Sequence, residues 1–136
     1  MSETTRSGIP HFFLNVARIV FGLMFMQHGA QKLFALLGRE EAAAFLSQIW
    51  FAGALEFWGG LLIVVGLFTR PVAFVLAGEM AWAYFQVHAP RSFFPIQNGG
   101  ETSVLFCFFF LLLAAAGGGR FSLDGLMANR RSRRLG

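Results

Sequence analysis

Seven side chains able to bind, polarise or exchange protons stand within or beside strongly apolar stretches of this sequence: His28, Gln31, Lys32, Glu56, Glu79, His88 and Glu101. Imidazoles and carboxylates exchange protons near neutrality, and an ammonium stabilises a developing oxyanion. Brought together, they would line a small polar cavity that holds a substrate and moves protons to it. Arg18 adds a second cation in the same surroundings. Arg18 and Lys32 against Glu56, Glu79 and Glu101 nearly balance in charge, so pairing inside one bundle is the simplest arrangement.

The elements that must carry these groups are membrane helices. Of the 136 residues, 56% are hydrophobic and only 13% charged, against about 25% charged in ordinary soluble domains. Eighteen Phe cannot readily be buried in a chain this small, whereas lipid can take up the excess. A spanning helix needs about 20 mostly apolar residues. Stretches at about 12–36, 50–68, 71–88 and 101–117 meet that requirement. The expected fold is an all-α, integral membrane four-helix bundle: a transmembrane domain over 1–128 followed by a basic cytoplasmic tail, 129–136. Arg18 inside the first apolar run, with no small-residue cleavage site after it, argues against a cleaved signal peptide.

The connectors fit this plan. Gly38 closes the first span, and 40-EEAAAFLSQIWF-51 is expected as a short helix along the membrane interface. Pro71 opens the third helix, where its missing N–H costs nothing. Lys and Arg in short flanks set orientation. Arg6, Arg70, Arg120, Arg130, Arg131, Arg133 and Arg134 fall on one side, and only Arg39 and Arg91 on the other. Both termini are therefore expected in the cytoplasm, with the chain in the cytoplasmic (inner) membrane. Gly53, Gly59, Gly60, Gly66 and Gly78 are expected to mark close helix contacts.

Charges at membrane depth cost about 2.5–3.5 kcal/mol each and usually face the bundle interior. Arg18, Phe21, Phe25, His28 and Lys32 recur at steps of three and four, one stripe of the first helix, with Ile19, Leu23, Met26 and Ala30 on the lipid side. At 1.5 Å per residue, Lys32, His88 and Glu101 lie roughly 12 Å toward the outer face, His28 and Glu56 nearer the centre, Glu79 near the midplane, and Arg18 roughly 9 Å inward. The expected pairs are Lys32–Glu101 outside and Arg18 with Glu79, or else Glu56, inside. The column could instead serve only helix register, where membrane hydrogen bonds contribute about 0.6–2 kcal/mol each. So many ionisable groups exceed what register needs.

Other chemistries find less support. One cysteine, Cys107, forms no internal disulfide and reads as a small buried hydrophobe. Haem between His28 and His88 is disfavoured by their different depths, and no compact ligand spacing marks a metal site. No nucleophile elbow accompanies the histidines. The net charge of +4 comes mostly from 129-NRRSRRLG-136, which directly follows an apolar run; anionic lipid explains it better than nucleic acid.

The segments 27-QHGAQKLF-34, 53-GALEFWGGLLIVVGLFTRP-71, 98-NGGETSVLF-106 and 117-GGGRFSLDGL-126 resemble, in order and across nearly the whole chain, the DoxX family of small four-helix bacterial membrane proteins. The resemblance implies a partner in redox metabolism: some members are subunits of thiosulfate:quinone oxidoreductases, others are linked to thiol and oxidative stress. The family's pattern corresponds to His28, Gly29, Lys32, Glu56, Gly59, Gly60, Arg70, Glu101, Arg120, Ser122 and Asp124. The leading expectation is a redox-associated subunit whose outward polar cavity takes a quinone or small sulfur compound. The alternatives are a non-catalytic scaffold that recruits soluble redox enzymes through Arg120, Arg130, Arg131, Arg133 and Arg134, or a small-molecule transporter acting as a homo-oligomer.

Overall fold

The computed structural model describes residues 3–136, with side chains described from Pro10 onward. All regular structure among the described residues is helical. Helix α1 is Glu3–Phe34. Helix α2 is Gln48–Val65, wound as a π-helix over Leu55–Gly59. Helix α3 is Thr69–Ala83, prolonged by the π-turn Tyr84–His88. Then follow a single turn α4, Pro95–Asn98, the helix α5, Glu101–Ala116, and α6, Leu123–Leu135. The Pro10–Phe34 part of α1 and the whole of α2 are long and apolar enough to cross a membrane, and α5 is a shorter apolar helix.

Two tight helix pairs make the body. In the first, α1 packs on α2 along a glycine seam. A Cβ on Gly29 would lie 2.7 Å from the carbonyl oxygen of Gly53, and one on Gly60 would lie 3.0 Å from that of Gly22. Backbone therefore meets backbone, the small-residue packing that associates helices in lipid. In the second pair, α5 packs along α3. Phenylalanines join the pairs: Phe21 stacks on Phe109 at 4.0 Å between centroids, and Phe25 meets Phe110 edge-on at 4.9 Å. Phe25, Ile63, Leu76, Phe106, Phe110 and Leu113 form the buried centre.

The outside carries Phe13, Leu23, Trp58, Phe74, Phe85 and Phe108, all exposed. An apolar girdle of this extent is far larger than the patches soluble monomers expose.

Two expectations need correction. Residues 40–47 form no helix: α1 ends at Phe34, left-handed Ala35 and Leu37 turn the chain, and Ser47 accepts a hydrogen bond from Trp50 N to cap α2. The chain there is held by local polar contacts, such as Gln31 Nε2 to the Leu37 carbonyl at 2.8 Å. Gly78 marks no helix contact, since a Cβ there would meet nothing within 4 Å. The basic residues 129–135, whose conformation the sequence left open, continue α6 as helix.

Candidate functional site

Arg18 is 1% exposed, but its partner is neither Glu79 nor Glu56. Its guanidinium donates to the carbonyls of Ile63 (2.6 Å) and Val64, to that of Phe121 (2.9 Å), and to Asn15 Oδ1 (3.2 Å). The last carbonyls of a helix lack intrahelical donors and carry partial negative charge. Arg18 therefore closes the end of α2 and ties it to the 117–122 turn. This corrects the expected inner ion pair. A short distance along the sequence, such a carbonyl cluster is invisible, whereas a carboxylate is not.

The same end holds a second clamp. Asp124 accepts from Phe68 N (2.9 Å) and Thr69 N (2.8 Å), the first donors of α3. Phe68 is a non-glycine residue at φ 49°, so the turn is strained and a remote carboxylate holds it. Ser122 caps α6 through Gly125 N, and Arg70 donates to the Ala115 carbonyl at 2.7 Å. Arg120 is exposed beside this joint. The motif 117-GGGRFSLDGL-126 thus locks the α2–α3 turn to the end of α5.

At the opposite end Asn98, 3% exposed, organises the loop before α5. Its Nδ2 donates to the Ser92 carbonyl (2.7 Å) and Tyr84 Oη (3.1 Å), and its Oδ1 accepts from Gly100 N (2.7 Å). Tyr84 in turn donates to the Phe93 carbonyl. His88 Nδ1 lies 3.2 Å from the Asn98 carbonyl oxygen. Asn98 and Tyr84 were not anticipated; an Asn between Pro95 and Gly99–Gly100 is the one local signal for such a turn.

The polar centre lies between these two ends. Lys32 makes an ion pair with Glu56, which is 3% exposed. This corrects the expected Lys32–Glu101 pair; Glu101 is exposed in the first turn of α5, where the helix dipole favours a carboxylate. The second oxygen of Glu56 and both oxygens of Glu79 are buried without a hydrogen-bond partner among the described residues. Glu79 borders the helix that carries Glu56, lining a groove with Ala52 and Leu55, and His28 stands one turn before Lys32 on α1. His28 itself is exposed, edge-on to Phe106 at 6.0 Å. The structure therefore gathers Lys32, Glu56 and Glu79 with His28 at the margin, and leaves Gln31, His88 and Glu101 in separate roles.

Beside Glu79 a groove of about 340 Å³ runs between α2 and α3, walled by Phe51, Leu55, Val75 and Trp82, with Gln48 at one end. It opens laterally, on the apolar girdle. Gln48 and Trp82 had drawn no notice in the sequence, because each is unremarkable alone. The thiol of Cys107 is half-buried and lines a separate apolar cavity of about 270 Å³ between α3 and α5, beside Met80 and Tyr84. No group of three or more His, Cys, Asp or Glu side chains among the described residues is arranged to hold a metal ion.

No solved structure matches the chain. A protein of Haemophilus influenzae, described only as an uncharacterized protein, is 39% identical over 120 residues, covering 83% of this chain and 89% of that protein. Residues 13–89 match the DoxX family, whose proteins are membrane-associated. That match contains the whole Lys32–Glu56–Glu79 centre and the groove beside it. On these two similarities, which cover most of its length, the chain belongs to the DoxX family.

Proposed function

We propose that this chain is a four-span protein of the cytoplasmic membrane, with both termini in the cytoplasm, acting as a redox-associated subunit. It admits a quinone or a small sulfur compound to the centre formed by Lys32, Glu56 and Glu79. The observation that carries the reading is Glu79, whose two carboxylate oxygens are buried without a partner among the described residues while the residue itself lines a laterally open apolar groove. A substrate dissolved in lipid reaches such a groove without crossing the headgroups. A protonated Glu79 would donate to a carbonyl of its head, as would the Gln48 amide, and its ring would find Trp82 and Phe51.

In this reading Lys32 stabilises negative charge that develops on a carbonyl oxygen, and Glu79 and Glu56 exchange the protons that accompany reduction. A quinone takes up two electrons and two protons. The electrons come from a partner subunit, and the residues here handle the protons. Four spans, rather than the two whose length suffices outright, are supported by α3 and α5 packing as a pair and by Phe109 and Phe110 of α5 meeting Phe21 and Phe25 of α1. The arginine asymmetry then directs the end with Arg18, Arg70 and α6 to the cytoplasm.

A titration of the purified protein with a water-soluble quinone analogue tests the reading, with tryptophan quenching as the readout. Saturable quenching that weakens at least about tenfold in Glu79→Gln and Lys32→Met, a loss near 1.4 kcal/mol, supports it. Saturable binding indifferent to both substitutions, or none in the wild type, refutes it.

A further inference from the structure

Helix α6 presents an arrangement that neither the family match nor the polar centre uses. At 100° per residue, Arg130, Arg131, Arg133 and Arg134 fall within one arc of the helix, since they are linked by steps of three and four. Leu123, Leu126 and Met127 occupy the same face one and two turns earlier. The opposite face carries Gly125, Ala128, Asn129 and Ser132, small and uncharged. The four arginines are therefore one-sided. Three of them, with Met127 and Leu135, enclose a concavity of about 380 Å³.

Left in water, this helix is a poor structure. Thirteen residues are marginal for an isolated helix, and like charges three and four apart repel. All residues from Leu126 on are exposed, and no Asp or Glu among the described residues pairs with the arginines. A surface of opposite charge must stabilise it. The direction of α6 is set by the body: Asp124 N donates to the Gly66 carbonyl at 2.9 Å while the Asp124 carboxylate holds the start of α3. Leu123, Leu126 and Met127 continue toward Leu67, and Phe68 and Phe121 stand exposed beside them. Apolar and aromatic side chains at the end of a spanning bundle, followed by one-sided arginines, match the layering of a membrane interface.

We infer that the Arg130–Arg131–Arg133–Arg134 face of α6 is a binding surface for the phosphate headgroups of anionic phospholipid in the leaflet that surrounds the bundle. Guanidinium groups grip phosphate oxygens in a fork, and several on one face hold headgroups that a single charge would lose to salt. Leu123, Leu126 and Met127 enter the acyl boundary beneath. The surface is independent of the groove beside Glu79, and it rests only on the chain lying in a membrane.

The test is hydrogen exchange of the full chain in lipid nanodiscs, which also verifies insertion through protection of α1 and α2. With roughly 30% phosphatidylglycerol in phosphatidylcholine, amides of 126–135 are expected to exchange about tenfold or more slower than in phosphatidylcholine alone. The difference is lost in roughly 0.5 M salt and in the variant R130Q/R131Q/R133Q/R134Q, and it persists in Ala128→Gln/Ser132→Gln on the opposite face. Equal exchange in the two lipids overturns the inference, and so does a difference that survives removal of the arginines. Protection in neutral discs produced by inorganic phosphate alone, or by a soluble protein fraction alone, also overturns it.

Discussion

Substituting Lys32 and Glu56 separately and together exposes an asymmetry that the structure dictates. Lys32→Met removes the one partner of a carboxylate that is 3% exposed and already has an unpartnered second oxygen. Stripping a buried pair of its counter-charge costs about 3–5 kcal/mol. Lys32 is 26% exposed, so part of its charge is screened and the low end, about 3 kcal/mol, is expected. Glu56→Gln is milder. The amide keeps an acceptor, and the lysine stem is long enough to carry its ammonium outward toward the headgroups; about 1 kcal/mol is expected. In the double variant neither charge remains buried, so the cost returns to about 1 kcal/mol, a coupling near 3 kcal/mol. Reversible unfolding in mixed micelles of increasing SDS fraction, followed by helical circular dichroism, measures all four proteins. Equal costs for the two single variants, or simple additivity in the double, would refute the buried-pair reasoning.

Further outcomes follow from the two end clamps and the glycine seam. Arg18→Met removes the guanidinium donor from three carbonyls, of which Ile63 keeps Gly66 N, and is expected to destabilise by about 3 kcal/mol, with proteolysis appearing first at 117–124; Lys at this position, lacking the fork, restores less than half. Asp124→Ala uncaps α3 and should lower stability by about 2 kcal/mol in the same assay, with Asp124→Asn intermediate. Gly29→Ala drives a methyl into the backbone of α2 and should cost about 2 kcal/mol, whereas Gly78→Ala meets open space and should be neutral or stabilising by about 0.5 kcal/mol. Thermal unfolding of the two alanine variants side by side separates the seam from the general effect of glycine in a helix.

Much of the helical layout was legible in the sequence, and the reason is composition. Apolar runs of fixed length, broken by Gly38, Pro71 and Gly117–Gly119, leave the chain few options. The stripe on α1 was readable in part: period 3.6 places Arg18 and Phe25 on a buried face and Ile19 and Leu23 on the exposed one, but Met26, expected on the lipid side, lies against Gly60 of α2, and His28, expected inside, is exposed. The joint at 117–126 was readable in part: Ser122 caps α6 with Asp124 in its first turn, but Asp124 also caps α3, a contact across 55 residues. The helix expected over 40–51 failed because its apolar residues carried no cap until Ser47, and local hydrogen bonds to the end of α1 held the chain better.

Pairing among the ionisable groups could not be deduced from depth. The sequence by itself determined where the long apolar helices run, part of the face of α1 that turns inward, and that buried charges would need partners. Height along a helix axis says which groups are level, and Lys32 and Glu101 are level. Only the tertiary structure decided that α2 lies against α1 along glycine, which brings Glu56 within reach of Lys32 and leaves Glu101 on the outside of another helix pair. Arg18 likewise spent its charge on carbonyl dipoles at the end of α2, partners that every sequence carries and none displays. The physical reason is that an ion pair depends on azimuth and on backbone separation to within an ångström or two, and those follow from how two helix surfaces fit, which no single helix encodes.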